Sequence, residues 1–284
     1  MGEWGRGGAI PRAGERMLLE HFLATAPNWL IFACFLAVIS ACGLAFGYAV
    51  HRVVRATGVE IDQRTRDYGQ IVYLGVFALT ALVMTFSTVE VRASAAKAAT
   101  TVREEGRTLV HLDRLLIRYG KDRTAEARAL IAEYAKAVVE EDWPLMRAGK
   151  DDGAARVYDI LARLEDDIAA LPRGGPVEAG LVDRMLEDMG DLGQQHDDRI
   201  IAAAEARLPS VFWWLIGALT AAVCVLAGTL AVRPFGLYFL GVKLTAIALM
   251  VSFLAVQDAP FRGETSVSAQ PILYAIEYLS AKPE

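Results

Sequence analysis

Three cysteines and four histidines are all that this 284-residue chain offers to thiol or imidazole chemistry. Cys34, Cys42 and Cys224 fall inside long apolar stretches, where a thiol behaves as a small hydrophobe, so neither a disulfide framework nor a metal centre is expected. No HExxH, CxxC, P-loop, nucleophile elbow or GxGxxG pattern occurs, and with them go the usual signs of an enzyme. No cofactor is implied. Charge is lacking in a more informative way. Trp29–Val50, Tyr68–Val89, Leu208–Val232 and Pro234–Gln257 are runs of 22, 22, 25 and 24 residues, and together they hold one charged side chain, Lys243. A hydrocarbon layer about 30 Å thick is crossed by roughly 20 helical residues, so each run is long enough to span a bilayer. The runs are continuously apolar, whereas a barrel strand would alternate over about 10 residues. A cleaved signal peptide is not expected, because the first run is too long for one and follows 28 residues of chain.

These observations predict an all-α, polytopic membrane protein with two pairs of transmembrane helices and a helical domain inserted between them. The expected divisions are an N-terminal segment at 1–28, glycine-rich and disordered at its start; a first membrane pair at 29–89; a soluble helical domain at 90–207; a second pair at 208–257; and a C-terminal turn and amphipathic helix at 258–284. Lys and Arg near the span ends number ten on the side of the 90–207 domain and five on the other, which places that domain and both termini in the cytoplasm. The domain carries 24 acids and 18 bases, so the acidity of the chain resides there and nucleic acid is not an expected partner.

Between Val76 and Glu105 there is neither glycine nor proline, and the second span is expected to run on past the membrane as one rod. Leu109, Leu112, Leu116 and Tyr119 continue it to Gly120. Ile131, Tyr134 and Val138 mark a helix ending at Pro144, and Val157 to Leu164 another ending before Pro172. Leu181 to Arg207 is expected to run into the third span at Pro209. Ile272, Leu273, Ile276 and Leu279 line one face of a short helix that either docks on the domain or lies at the membrane interface. The acidic groups Glu140-Glu141-Asp142 and Glu165-Asp166-Asp167, and the run His196-Asp197-Asp198, read as solvated helix surface. A divalent cation held between subunits is the alternative for the acidic groups.

Within the spans, Gly43 and Gly47 form a GxxxG pattern suited to close helix packing. Tyr73, Thr80 and Ser87 recur every seven residues, flanked by Phe77 and Met84. Such a stripe fits a pore wall, with apolar rings and hydroxyls, or a packed face whose hydroxyls bond backbone carbonyls. Lys243 either faces an interior near mid-membrane, where it would attract anions, or extends to the interface.

The residues Tyr134, Val138, Glu141, Trp143 and Pro144, then Arg199, Leu208-Pro209 and Trp213, then Pro260, Phe261, Arg262, Gly263, Glu264 and Val267, resemble in order and spacing the bestrophin-like domain family over roughly Val38 to Leu279. Family members often carry several arginines before the third span. Here that place is His196-Asp197-Asp198-Arg199, so no basic-cluster role is carried over. The resemblance implies similarity to bestrophins, which are pentameric anion channels with a helical cytosolic part and a pore lined by the second membrane helix. It implies a homo-oligomeric channel for inorganic ions in the lipid bilayer of the bacterial inner membrane. The wall would be Tyr73, Phe77, Thr80, Met84 and Ser87. Glu141, Trp143 and Pro144 would shape the cytoplasmic domain, while Asp258, Pro260, Phe261 and Gly263 fix the turn below the fourth span. An acidic vestibule would oppose anion passage. A non-conducting sensor or scaffold, relaying shifts along rigid helices, is the alternative function.

Overall fold

The computed structural model describes residues 26–58, 62–148, 150, 152–205, 208–231 and 237–281. The glycine-rich start, Arg207, Arg233 and Pro234 lie outside them. Every regular element among the described residues is helical. In chain order these are α1 (Asn28–Ala56), α2 (Gln63–Gly120), α3 (Ala125–Ala137), α4 (Trp143–Ala148), α5 (Ala155–Ala169), α6 (Pro176–Glu205), α7 (Ser210–Leu230), α8 (Leu237–Gln257) and α9 (Gln270–Ser280). A single 3-10 turn (Lys121–Thr124) precedes α3, and a π turn (Val138–Asp142) joins α3 to α4. Among the described residues four helices, α1, α2, α7 and α8, are long and apolar enough to cross a membrane.

The helix α2 is the spine. Its 58 residues extend roughly 87 Å at 1.5 Å per residue. Its N-terminal half packs against α7 and α8, which also enclose α1; its C-terminal half packs against α6, α9 and α3. The cores follow that division. Met84, Val91, Ile216, Ile247 and Leu254 meet in the apolar half, beside a second cluster of Val223, Cys224, Leu240 and Leu244. Leu109, Leu112, Leu116, Ile131, Val157, Leu164, Met185 and Ile272 belong to the larger core of the polar half.

Two expected boundaries are corrected. The helix carrying Ile131 and Val138 does not end at Pro144. A π turn absorbs one extra residue, and Pro144 occupies the second position of α4, in a first turn that needs no amide donor from it. The third span is not continuous with α6, which ends at Glu205, while α7 starts at Ser210 after an extended Pro209 (ψ 138°). Proline disfavours helical geometry in the residue before it. The amide of that residue, Leu208, donates instead to Asp258 Oδ1. The C-terminal helix docks on the polar half, burying Ile272 and Ala275.

Candidate functional site

The stripe predicted as a pore wall faces inward. Thr80, Met84 and Ser87 are buried within the protomer, and Phe77 and Tyr73 pack against the α7–α8 clusters. Thr80 donates its hydroxyl to Val76 O at 2.8 Å and Ser87 to Val83 O at 2.9 Å, each four residues back. This is a correction with a plain physical reason. Spacings of four, three, four and three from Tyr73 to Ser87 are the pattern of a helix-packing seam. A side chain enclosed by its own subunit cannot also line an axis shared with others. Lys243 belongs to the same interior: its Nζ lies 3.6 Å from the centre of the Tyr73 ring and 4.6 Å from that of Phe77. Two aromatic faces thus serve the ammonium in place of an acid.

The face of α2 opposite that seam is exposed along the helix, and toward its C-terminal end His111 reaches Asp188 of α6 and Arg114 reaches Tyr278 of α9. In the apolar half it presents Ile71, Ala78, Leu82, Phe86 and Val89; then come Ala93, Ala96 and Thr100; then Arg103, Arg107, His111, Arg114 and Arg118. Successive members are mostly three or four residues apart, so they form one stripe passing from apolar to small to basic. The charges of the polar half are segregated by helix. Residues 90–120 carry six bases and four acids, and two of those acids, Glu105 and Asp113, are buried and paired. The helix α6 carries eight acids and two bases.

Glu105 faces the other way, into an ion cluster that ties α2, α3, α4 and α6 together. Arg199 donates from Nε to Glu105 Oε2 at 2.7 Å, and from one terminal nitrogen to Glu105 Oε1 at 3.2 Å and Asp142 Oδ2 at 3.0 Å. Tyr134 donates to Glu105 Oε1 at 2.7 Å, and the amide of Ala154 donates to Asp142 Oδ1 at 2.8 Å. His196 Nδ1 lies 3.0 Å from the same guanidinium nitrogen. All five side chains are buried. With two carboxylates and one guanidinium, the arginine stays charged despite desolvation, held above its ordinary range by Glu105, Tyr134 and Asp142. Burial, and next the Arg199 charge, push His196 below its usual 6.5. Burial, and next the Glu105 carboxylate, keep the Tyr134 phenol well above 10 and therefore neutral.

Of the predicted structural residues, Trp143 touches this cluster and Phe261 packs on Trp143. Trp143 lies under Arg199 with 5.8 Å between guanidinium carbon and ring centre, and meets Phe261 edge-on at 5.8 Å. Phe261 belongs to the turn after α8, where Pro260 O accepts from the Val267 amide at 2.6 Å and Gly263 has φ 73°, a conformation open to glycine. Asp258 anchors the start of α7 through Leu208. Glu141 stands apart, paired with Arg156 at 2.9 Å on the surface, and Pro144 is exposed. Nothing in the sequence pattern marks Glu105 or Tyr134 for chemistry. His196 and Asp142 were read as solvated surface; both are fully buried, and the correction rests on their burial against Arg199. The readable signal was helical phase, since Glu105 lies on the same face as Ala98, Val102, Leu109 and Leu112.

Among the described residues no group of three or more His, Cys, Asp or Glu is placed to hold a metal ion. What the fold and these sites define is an all-helical membrane protein in which one long helix joins an apolar bundle to a polar one. Residues 37–272 match the family model of the bestrophin-like domain, and the chain belongs to that family. Its fold is similar to three crystal structures of single-substitution mutants of a bacterial bestrophin homologue from Klebsiella pneumoniae. Two are 14% identical and cover 87% of this chain, with TM-scores of 0.57 and 0.52 over 99% and 97% of theirs. The third is 13% identical, covering 89% of this chain and 97% of its own with a TM-score of 0.54. No curated protein matches the sequence.

Proposed function

We propose that this chain is the protomer of a homo-oligomeric, bestrophin-like ion channel without enzymatic activity, in which the exposed face of α2 lines an axial pore. The observation carrying the reading is that one face of α2 stays exposed along the helix and passes from Ile71, Leu82 and Val89 to Arg103, Arg107 and Arg114. Around a shared axis the first group makes an apolar constriction that can exclude water, and the second makes a basic vestibule that raises the local anion concentration. Anions are therefore the preferred cargo, in agreement with the family, and a pentamer follows from family likeness. The excess of Lys and Arg around the polar half, counted at the span ends, supports a cytoplasmic position for that half and both termini, and the family likeness supports a bacterial inner membrane.

Flux from proteoliposomes tests this. The purified oligomer is expected to release chloride faster than empty vesicles, and Leu82→Trp to stop release while the oligomer keeps its size. Absence of flux across varied pH, calcium and voltage would leave the second reading, a non-conducting sensor. The observation favouring that reading is the continuity of α2 from the apolar bundle to Glu105, which can transmit small shifts as a rod.

A further inference from the structure

The basic stripe of α2 borders a cavity. A groove of about 590 Å³ lies between α2 and the first turns of α9, lined by Arg103, Arg107, His111 and Arg114 on one side and Gln270 and Tyr274 on the other. It exists because α9 crosses close to α2 at Gly106, where a Cβ would stand 2.7 Å from Pro271 O. Among the described residues no carboxylate lies within ion-pair distance of Arg103, Arg107 or Arg114, although each exposes a guanidinium. Two are already oriented. Arg103 donates to Ala99 O and Thr100 Oγ1, both at 3.0 Å. Arg114 donates to the Tyr278 hydroxyl at 3.3 Å and stacks over that ring at 5.5 Å. Asp188 is engaged by His111 Nδ1 at 2.6 Å. The positive end of the α9 dipole adds to the same field.

We propose that this groove is a binding site for a soluble oxyanion of the phosphate class bearing two or more phosphate groups. Guanidinium forks match phosphate oxygens two at a time. From Arg103 to Arg114 the helix rises roughly 16 Å, too far for one phosphate to bridge, and the groove has the volume of a small-molecule site. A lipid headgroup is a poor fit. Arg107 lies 18 residues past Val89, the end of the uncharged run, or about 27 Å beyond it along the helix. Under the pore reading a filled groove would make the vestibule less positive and slow anion flux; the binding itself is independent of that reading.

The test is titration of the detergent-purified full chain with inorganic tripolyphosphate by calorimetry. Saturable binding near one per protomer is expected, weakened by added salt and by on the order of tenfold or more in Arg103→Gln with Arg107→Gln. Arg118→Gln removes a charge one turn outside the groove and is expected to change affinity less than about twofold. Hydrogen exchange of the unmodified protein should slow at 103–114 and 270–274 on adding tripolyphosphate, whatever the variants do. Lack of saturable binding overturns the proposal, as does an Arg118→Gln loss equal to that of the double variant, which would mean diffuse charge only. Competition by phosphatidylglycerol nanodiscs would assign the site to a lipid and overturn it as well.

Discussion

At the scale of single residues, the buried cluster around Arg199 decides most. Its guanidinium touches Glu105 and Asp142 at 2.7–3.0 Å with no exposure of any partner. Removing one member of such a group leaves the others charged in a dry interior, which costs about 3–5 kcal/mol. Arg199→Met strands two carboxylates and is expected to lose that much, read as a fall in thermal midpoint of the detergent-solubilised protein. Glu105→Gln keeps shape and an acceptor and should lose less. His196 adds a pH dependence whose sign follows from its depressed folded pKa. Asp142, Glu105 and Asp197 attract a proton there, but burial and Arg199 outweigh them. The unfolded chain therefore binds the proton first. The contribution of His196 is complete above about pH 6.5 and is lost as pH falls below it, by up to about 1.4 kcal/mol per unit. Thermal midpoints measured from pH 7.5 to 5.5 should fall less steeply in His196→Gln than in the unmodified protein. These residues were the least legible in the sequence, because a buried ion cluster is spelled with the same letters as a solvated face. Glu141 and Asp142 are neighbours, yet one pairs with exposed Arg156 and the other is sealed against Arg199.

At the scale of elements, legibility follows the strength of the pattern. The four uncharged runs each fall on a helix, and all but the second match it to within about six residues at both ends; the second marks only the start of α2, which runs on to Gly120. The α2 rod was readable from the absence of helix breakers, and its end at Gly120 from the glycine. Proline misled twice. Pro144 was read as a stop where a π turn accommodates it, and Pro209 as a junction inside a continuous helix where it parts α6 from α7. The glycines of the apolar bundle were readable as packing but not as to partner. A Cβ on Gly228 would come 2.5 Å from Gly47 O and 2.8 Å from Val50 Cβ, so the GxxxG helix α1 meets α7 with backbones nearly touching. Gly228→Val must push the two helices apart and is expected to cost about 1–3 kcal/mol, the usual penalty of overpacking. Gly217→Ala, in the same helix with nothing within 4 Å, should leave the midpoint within about 0.5 kcal/mol of unmodified protein. Thermal unfolding followed by size-exclusion chromatography measures both, and equal losses would contradict the close crossing.

At the scale of the whole molecule, net charge proves a poor guide to the potential an ion would meet. The 90–207 segment is acidic as a sum, which by itself argues against anion passage. The fold distributes that sum unevenly: α6 and α5 carry half of the acids, while the exposed face of α2 carries Arg103, Arg107, Arg114 and Arg118 with Glu104 at its flank. Exposed charges more than a Debye length apart, about 8 Å at physiological salt, are largely screened from one another. An ion beside α2 therefore responds to the arginines near it more than to carboxylates on the far side of the domain. Under the proposed arrangement, reversing charge on the α2 face should alter selectivity, and reversing it on α6 should not. Arg107→Glu with Arg118→Glu is expected to lower the chloride-to-sodium permeability ratio by about threefold or more, shifting the reversal potential under a salt gradient toward that of a cation pathway. Asp183→Lys with Glu187→Lys changes net charge by the same amount in the opposite sense and should leave the ratio within experimental scatter. If both pairs shift selectivity in proportion to net charge, the ion senses the domain as a whole and the α2 face does not line its path.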